Sequence, residues 1–233
     1  MRPVKITPNI IKNADGSVLY QSGDTEVICT ASFESKVPEW LQDSGWITAE
    51  YSMIPASTNS RVPREITRGK KNARSQEIQR LIGRSLRGAA NLEKMPGISI
   101  YVDCDVINAD GGTRTASING GYVAIALALK NKYPNLYDQK ILSPVAAISV
   151  GKVNGNIVDD LDYNQDSSAE VDLNIVMNSD FNLIEIQGTG EKGTFSKDEL
   201  NQMLDLGRDC IKNIFDEQTK ILKIVVAHKA FDT

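Results

Sequence analysis

Apolar positions recur along this chain with two different periods, and the switches between them mark its elements. Ile98, Ile100, Val102, Cys104 and Val106 alternate with Ser99, Tyr101, Asp103 and Asp105. Successive side chains of an extended chain point to opposite faces, so this run predicts a half-buried strand. Val27–Ser32 and Gly45–Tyr51 have the β-branched and aromatic content of further strands. From Arg74 to Ala90 the period lengthens: Ile78, Leu81, Ile82 and Leu86 fall at helical spacing, which predicts an amphipathic helix. Arg80, Arg84 and Arg87 share another side of it, as part of a positive surface or as a solvated face. Residues 114–131 are small and apolar, and predict a helix pressed into a core. Val145–Val153 reads as a strand, Asn154-Gly155 as a hairpin turn and Ile157–Tyr163 as the partner strand. Val171–Met177 and Asn182–Gln187 predict a second hairpin around Asn178-Ser179-Asp180. A capping box, Ser196-Lys197-Asp198-Glu199, opens a last helix with an apolar stripe from Leu200 to Phe215. Hairpins mixed with three helices favour an α+β layered fold over a doubly wound one.

Composition narrows the chemistry. At 233 residues, 41% hydrophobic and 24% charged, the chain has the make-up of a soluble globular protein. No apolar run approaches the ~18 residues of a membrane span, and the start Met-Arg-Pro-Val-Lys lacks the apolar stretch of a secretory signal. Cys29, Cys104 and Cys210 are odd in number and far apart, which argues against a disulfide framework or a thiolate zinc site and for a reducing, cytoplasmic setting. His228 is the one histidine, so Ser-His-Asp and Cys-His schemes are disfavoured. Carboxylates, arginines and backbone amides remain.

Three stretches gather those groups. Asp110-Gly111-Gly112-Thr113-Arg114-Thr115-Ala116-Ser117 follows a strand and opens a helix. Glycines allow a sharp turn and close approach of the backbone to a ligand. Amides at a helix start attract anions, and a guanidinium in the first turn can grip a phosphate through two hydrogen bonds. A tight strand-to-helix turn with a solvated arginine fits the octapeptide equally. Between residues 61 and 74 lie Arg61, Arg64, Arg68, Lys70, Lys71 and Arg74, opposed only by Glu65, in a chain of net charge −4. This is a local polyanion contact or a solvated charged loop. Asp166, Glu170 and Asp172 form an acidic cluster, which supplies hard oxygen ligands for Mg²⁺ or Mn²⁺, a carboxyl held protonated by its neighbours, or simply an acidic turn. Asp166 and Asp172 are an even number of residues apart, so an extended chain would put them on one face. A nucleotide-binding P-loop is disfavoured, because Arg114 stands where that motif needs Gly-Lys-Ser/Thr.

The ordered set of blocks resembles the ribonuclease PH family, phosphorolytic 3′-to-5′ exoribonucleases that trim tRNA 3′ ends. The matching blocks include Cys29-Thr30-Ala31-Ser32, Gly45-Trp46-Ile47-Thr48-Ala49-Glu50-Tyr51 and Glu77-Ile78-Gln79-Arg80-Leu81-Ile82-Gly83-Arg84. They continue through Ala109–Ser117, Pro144–Gly151, Asp166–Asn174 and Glu185–Thr189, so the likeness spans residues 2–215. The resemblance implies a two-layer α/β sandwich of the ribosomal-protein-S5-domain-2 type, as a single domain over residues 1–217 with residues 218–233 as a tail. It implies a homo-hexameric ring, a trimer of dimers, acting on tRNA precursors. By residue match, Gly112, Thr113, Arg114 and Arg74 bind the phosphate co-substrate. Asp166 and Asp172 match the pair for metal (Mg²⁺ or Mn²⁺) and acid, and catalysis falls to them with Arg114. RNA contact falls to Arg61, Arg64 and Arg68.

Three departures stand out. The family's basic Arg-x-x-Gly-Arg-like segment does not precede Arg2-Pro3-Val4, Ala56 replaces a loop arginine, and Gln165 replaces a glutamate beside Asp166. The competing reading is a non-catalytic RNA-binding ring subunit of an exosome-like assembly, which would lack part of the arginine and carboxylate set.

Overall fold

Alternating burial sorts the strands into two sheets. The protein is seen in a computed structural model that describes residues 1–41, 43–64, 69 and 72–231, with side chains described up to residue 223. The first sheet is built from β1 (Val4–Pro8), β2 (Gly16–Ser22), β3 (Thr25–Glu34), β4 (Trp46–Met53) and β5 (Ser99–Asn108), in the order β1-β2-β3-β5-β4. Its pairs are antiparallel except β4 with β5, which run parallel. A parallel pair needs a crossover, and helix α1 (Ala73–Gly88) lies on it. The second sheet, entirely antiparallel, has β6 (Val145–Val153), β7 (Asn156–Asp159), β8 (Val171–Asn178) and β9 (Leu183–Gly190), in the order β7-β6-β8-β9. Helices α2 (Thr113–Lys132), α3 (Pro134–Asp138), α4 (Tyr163–Ser168) and α5 (Lys197–Phe231) complete a mixed α/β fold of two sheets and five helices.

Helix α2 organises the interior. Apart from Arg114, every residue from Thr113 to Leu129 is buried. Its residues share one core cluster with the inward side chains of the first sheet and with Val145, Ala147 and Val176 of the second. Backbone approach is close: a Cβ on Gly16 of β2 would stand 2.2 Å from the Ala124 carbonyl oxygen. The opposite face of the second sheet, with Ile148, Val150, Leu173 and Ile175, packs on Met203, Ile211 and Ile214 of α5.

Register explains where the site forms. On the α2-facing side of the second sheet, Ala147 pairs with Val176, then Ser149 with Asn174, then Gly151 with Asp172. Asn174 and Asp172 pair in turn with Gln187 and Thr189 of β9. The face changes from apolar to polar within one step of the pleat, at the level where α2 begins.

The strands and long helices read from periodicity are present. β1 and β2, α3 and α4 were not predicted. The expected strand Ile157–Tyr163 stops at Asp159: Asp160 turns the chain at φ 50° and Asp162 caps α4. The last helix runs through residue 217 to Phe231, with Gln218 buried and its amide donating to the Val145 carbonyl at 3.1 Å. The boundary expected at 217 therefore falls inside a helix. No described helix is long and apolar enough to cross a membrane.

One side chain ties α2 to both sheets. Asn119 accepts from the Ala147 amide (2.7 Å), donates to the Ala147 carbonyl (2.9 Å) and donates to the Tyr20 hydroxyl (3.1 Å). Asn119→Ala strands two buried backbone groups, so it should cost roughly 2–4 kcal/mol. Urea unfolding checks this, and a loss below about 1 kcal/mol would contradict it.

Candidate active site

Strand β5 ends by delivering the chain to Gly111 (φ 75°) and Gly112 (φ 64°), both left-handed, a conformation other residues rarely adopt. The Thr25 hydroxyl donates to the Gly111 carbonyl at 2.6 Å and accepts from the Asp110 amide at 3.0 Å. A Cβ on Gly111 would lie 2.2 Å from the Leu161 carbonyl oxygen, so the turn presses against the segment leading to α4. Arg2 clamps the two together. Its guanidinium donates to the Asp160 carboxylate (2.7 Å), the Leu161 carbonyl (3.3 Å) and the Asp110 carbonyl. Gly112 begins α2 with no side chain capping it. The amides of the first turn, at the positive end of a long helix, are left for an anion.

That turn opens onto a cleft of about 790 Å³ lined by Gly111–Arg114, Arg74, Glu77, Asp166, Asp172 and the polar face of the second sheet. Arg114 crosses it: its Nη1 donates to Gln187 Oε1 at 3.1 Å and lies 3.6 Å from Glu77. Gln187 is itself held by donating to Glu77 at 2.7 Å. Arg74 reaches the cleft from the first turn of α1, capped by Asn72. The buried Tyr51 hydroxyl bonds Thr113 at 2.9 Å. Burial raises the Tyr51 pKa, while Thr113, Arg74 and Arg114 oppose the rise, so both guanidinium groups act on one spot.

The two aspartates face the same cleft by different routes. Asp166 sits on α4 and Asp172 on β8, so the extended chain expected between them is absent, broken by the helix that Asp162 caps. Burial, reinforced by the Asp166 charge, pushes the Asp172 carboxyl up to about 6, with Arg114 and a hydrogen bond from Asn174 opposing. Two hard carboxylates at one wall fit a cation such as Mg²⁺ that keeps several of its waters. Among the described residues, no three His, Cys, Asp or Glu side chains gather to cage an ion. Gln165 has a structural task, closing the capping box with Asp162 (Gln165 N to Asp162 Oδ1, 2.8 Å).

Other expected residues are placed unevenly. Arg61 and Arg64 are exposed on a loop whose residues 58–60 and 62 line the cleft, and Ala56 is exposed on the same loop. Arg68, Lys70 and Lys71 lie outside the described residues. The positive surface expected from α1 is thinner than its sequence suggests. Arg84 pairs with Glu185, and Arg87 lies 4.4 Å over the Trp46 ring and donates to the Ile47 carbonyl at 2.8 Å. Sequence reasoning gave no role to Arg2, Ser149 or Asn174. Polar residues at inward positions of apolar strands were the available signal for the last two.

Fold and cleft together define a two-sheet α/β protein that seats an oxyanion beside paired carboxylates. The chain belongs to the 3′ exoribonuclease (RNase PH) family: residues 1–130 match its domain 1 and residues 143–210 its domain 2. Among solved structures, rice (Oryza sativa) Rrp46 is similar at TM-score 0.77 and 18% identity, over 95% of each chain. The Archaeoglobus fulgidus exosome with RNA bound to its active site is similar at 0.77 and 23% identity, over 93% of this chain and 88% of that one. An archaeal exosome core follows at 0.73 and 22%, over 94% and 87%. At these identities the likeness establishes the fold.

A raised carboxyl pKa carries a stability cost with a definite sign. Between the unfolded value near 3.8 and the folded value of about 6, the folded state binds more protons, so stability falls as pH rises through that window and stays lower above it. In chelator-treated protein, Asp172→Asn should therefore stabilise the fold at pH 7 by on the order of 1–3 kcal/mol, and by less at pH 5. Urea unfolding at both pH values measures this. A variant less stable than the parent at pH 7 would refute the assignment.

Proposed function

We propose that the protein is a phosphate-dependent 3′-to-5′ exoribonuclease that trims the 3′ ends of tRNA precursors. The observation that carries this reading is the convergence of Arg74, Arg114, the uncapped start of α2, Asp166 and Asp172 on one cleft. Inorganic phosphate sits on the first-turn amides between Arg114 and Arg74. RNA lies along the rim, its backbone met by Arg61 and Arg64, with Arg68 on the same loop in sequence. A phosphate oxygen attacks the phosphorus of the last phosphodiester. The bond from that phosphorus to the 3′-oxygen of the preceding nucleotide breaks, and a nucleoside diphosphate leaves. The departing 3′-oxygen takes its proton from the carboxyl pair. Asp166 and Asp172 would hold Mg²⁺ or Mn²⁺, which when bound offsets charge on the transferring group. A phosphoanhydride replaces a phosphodiester, so the reaction runs backwards at high nucleoside diphosphate. A homo-hexameric ring belongs to the same reading, as does a cytoplasmic setting.

A second reading is favoured by the solved structures. Rrp46 and two exosome cores support a ring subunit of an exosome-like assembly at least as well as they support tRNA trimming. Such a subunit would bind RNA without cutting it. The intact arginine and carboxylate set favours the catalytic reading.

Incubation with a 3′-extended tRNA, with and without phosphate, separates the two. Nucleoside diphosphates should appear only with phosphate; monophosphates released without it would mean hydrolysis, and binding without release would mean the ring subunit. A hydrogen bond to a charged group is worth ~1.5–3 kcal/mol. Arg114→Ala should accordingly cut phosphate-dependent turnover at least ~10-fold, and turnover equal to the parent's would count against the site.

A further inference from the structure

Ser149 is a cleft residue that the scheme above leaves without a task. It sits on β6, a central strand of the second sheet, 4% exposed yet part of the cleft wall. Its backbone carbonyl accepts from the Asp160 amide at 2.7 Å, which fixes the strand at that point. Its hydroxyl has no hydrogen-bond partner among the described residues. Buried polar groups are nearly always bonded, so an unbonded one beside a cleft points to a ligand.

The position says which ligand. Ser149 Oγ lies 3.8 Å from where a Cβ on Gly112 would stand, next to the residue that opens α2. The free amides of the α2 first turn and the unpartnered hydroxyl are independent features that meet at one corner. Both donate hydrogen bonds, and neither carries a charge that would favour a cation. The corner is at the floor of the cleft, whereas Arg61 and Arg64 are exposed near its rim. A small free oxyanion reaches such a floor more readily than a polymer backbone.

We propose that the Ser149 hydroxyl is a direct ligand of inorganic phosphate, donating to one of its oxygens beside the first-turn amides of α2 and the Arg114 guanidinium. The assignment rests on the phosphorolytic reading and adds a specificity contact to it. A neutral hydroxyl donor helps hold the phosphate in one orientation, which two mobile guanidinium groups alone do not.

Ser149→Ala is the direct test, with Ser149→Cys as a second variant that keeps the volume and weakens the donor. Three quantities are measured on each: the melting temperature with and without phosphate, the KM for phosphate, and affinity for a short RNA oligonucleotide without phosphate. Ser149→Ala should melt no lower than the parent in phosphate-free buffer, because no bond is lost there. Its phosphate KM should rise at least about 10-fold and the phosphate-induced melting shift should shrink, with RNA affinity unchanged; Ser149→Cys should fall between. Equal phosphate KM and equal melting shift in parent and variants would overturn the proposal alone. So would a loss of RNA affinity with phosphate KM intact, or a lower phosphate-free melting temperature with phosphate binding intact. A parent that neither binds phosphate nor uses it against RNA would overturn the phosphorolytic reading and this contact together.

Discussion

A helix buried on nearly every side has only its ends to offer, and that constraint shapes the rest of this molecule. Helix α2 is clasped by the first sheet on one side and by the α2-facing side of the second sheet on the other. Its unpaired amides cannot be turned into the core without large cost. The two left-handed glycines bring the chain in so that the start of the helix faces an open cleft instead. The core and the candidate active site are thus two consequences of one packing arrangement. The Asn119 amide, bonded to Ala147 and Tyr20, keeps the helix in register with both sheets.

Around that helix end, charge is arranged in opposition. Arg114 and Arg74 come from two helices, while Asp166, Asp172 and Glu191 line the cleft from α4, β8 and the turn after β9. The carboxylates raise one another's cost of ionisation, as the Asp172 value near 6 shows. A fold that carries such a cluster gives up stability at neutral pH in exchange for a place where anions, protons and a cation can be exchanged. Arg2 and Gln187 limit the cost. Each holds a charged or strained partner in place through several hydrogen bonds, Arg2 across the Asp110 and Leu161 backbone and Gln187 between Arg114 and Glu77.

Much of this was legible in the chain itself, and the gaps have physical causes. Strand β5 was clear because its alternation is long and one face is solvated; α5 was clear because its start carries a capping box. Helix α4 was missed because Tyr163–Ser168 has no apolar stripe and is held by its cap alone. The run of α5 past Phe215 was missed because its burial depends on single contacts such as Gln218 with the Val145 carbonyl. In the site, Gly112, Arg114, Asp166 and Asp172 stood out through local chemistry and family resemblance. The relation between the two aspartates was misjudged, because a helix replaces the extended chain assumed between them. Arg84 and Arg87 misled because their partners, Glu185 and Trp46, are remote in sequence. Ser149 and Asn174 acquire meaning only once the register of β6 with β8 is known.

The account turns on a free oxyanion resting at the start of α2. A crystal soaked in tungstate, a heavy tetrahedral stand-in for phosphate, tests this without any assay of RNA. Anomalous density should appear against the Thr113 and Arg114 amides, within reach of Arg74 and the Ser149 hydroxyl. An empty corner, with tungstate bound only at the rim arginines, would contradict it.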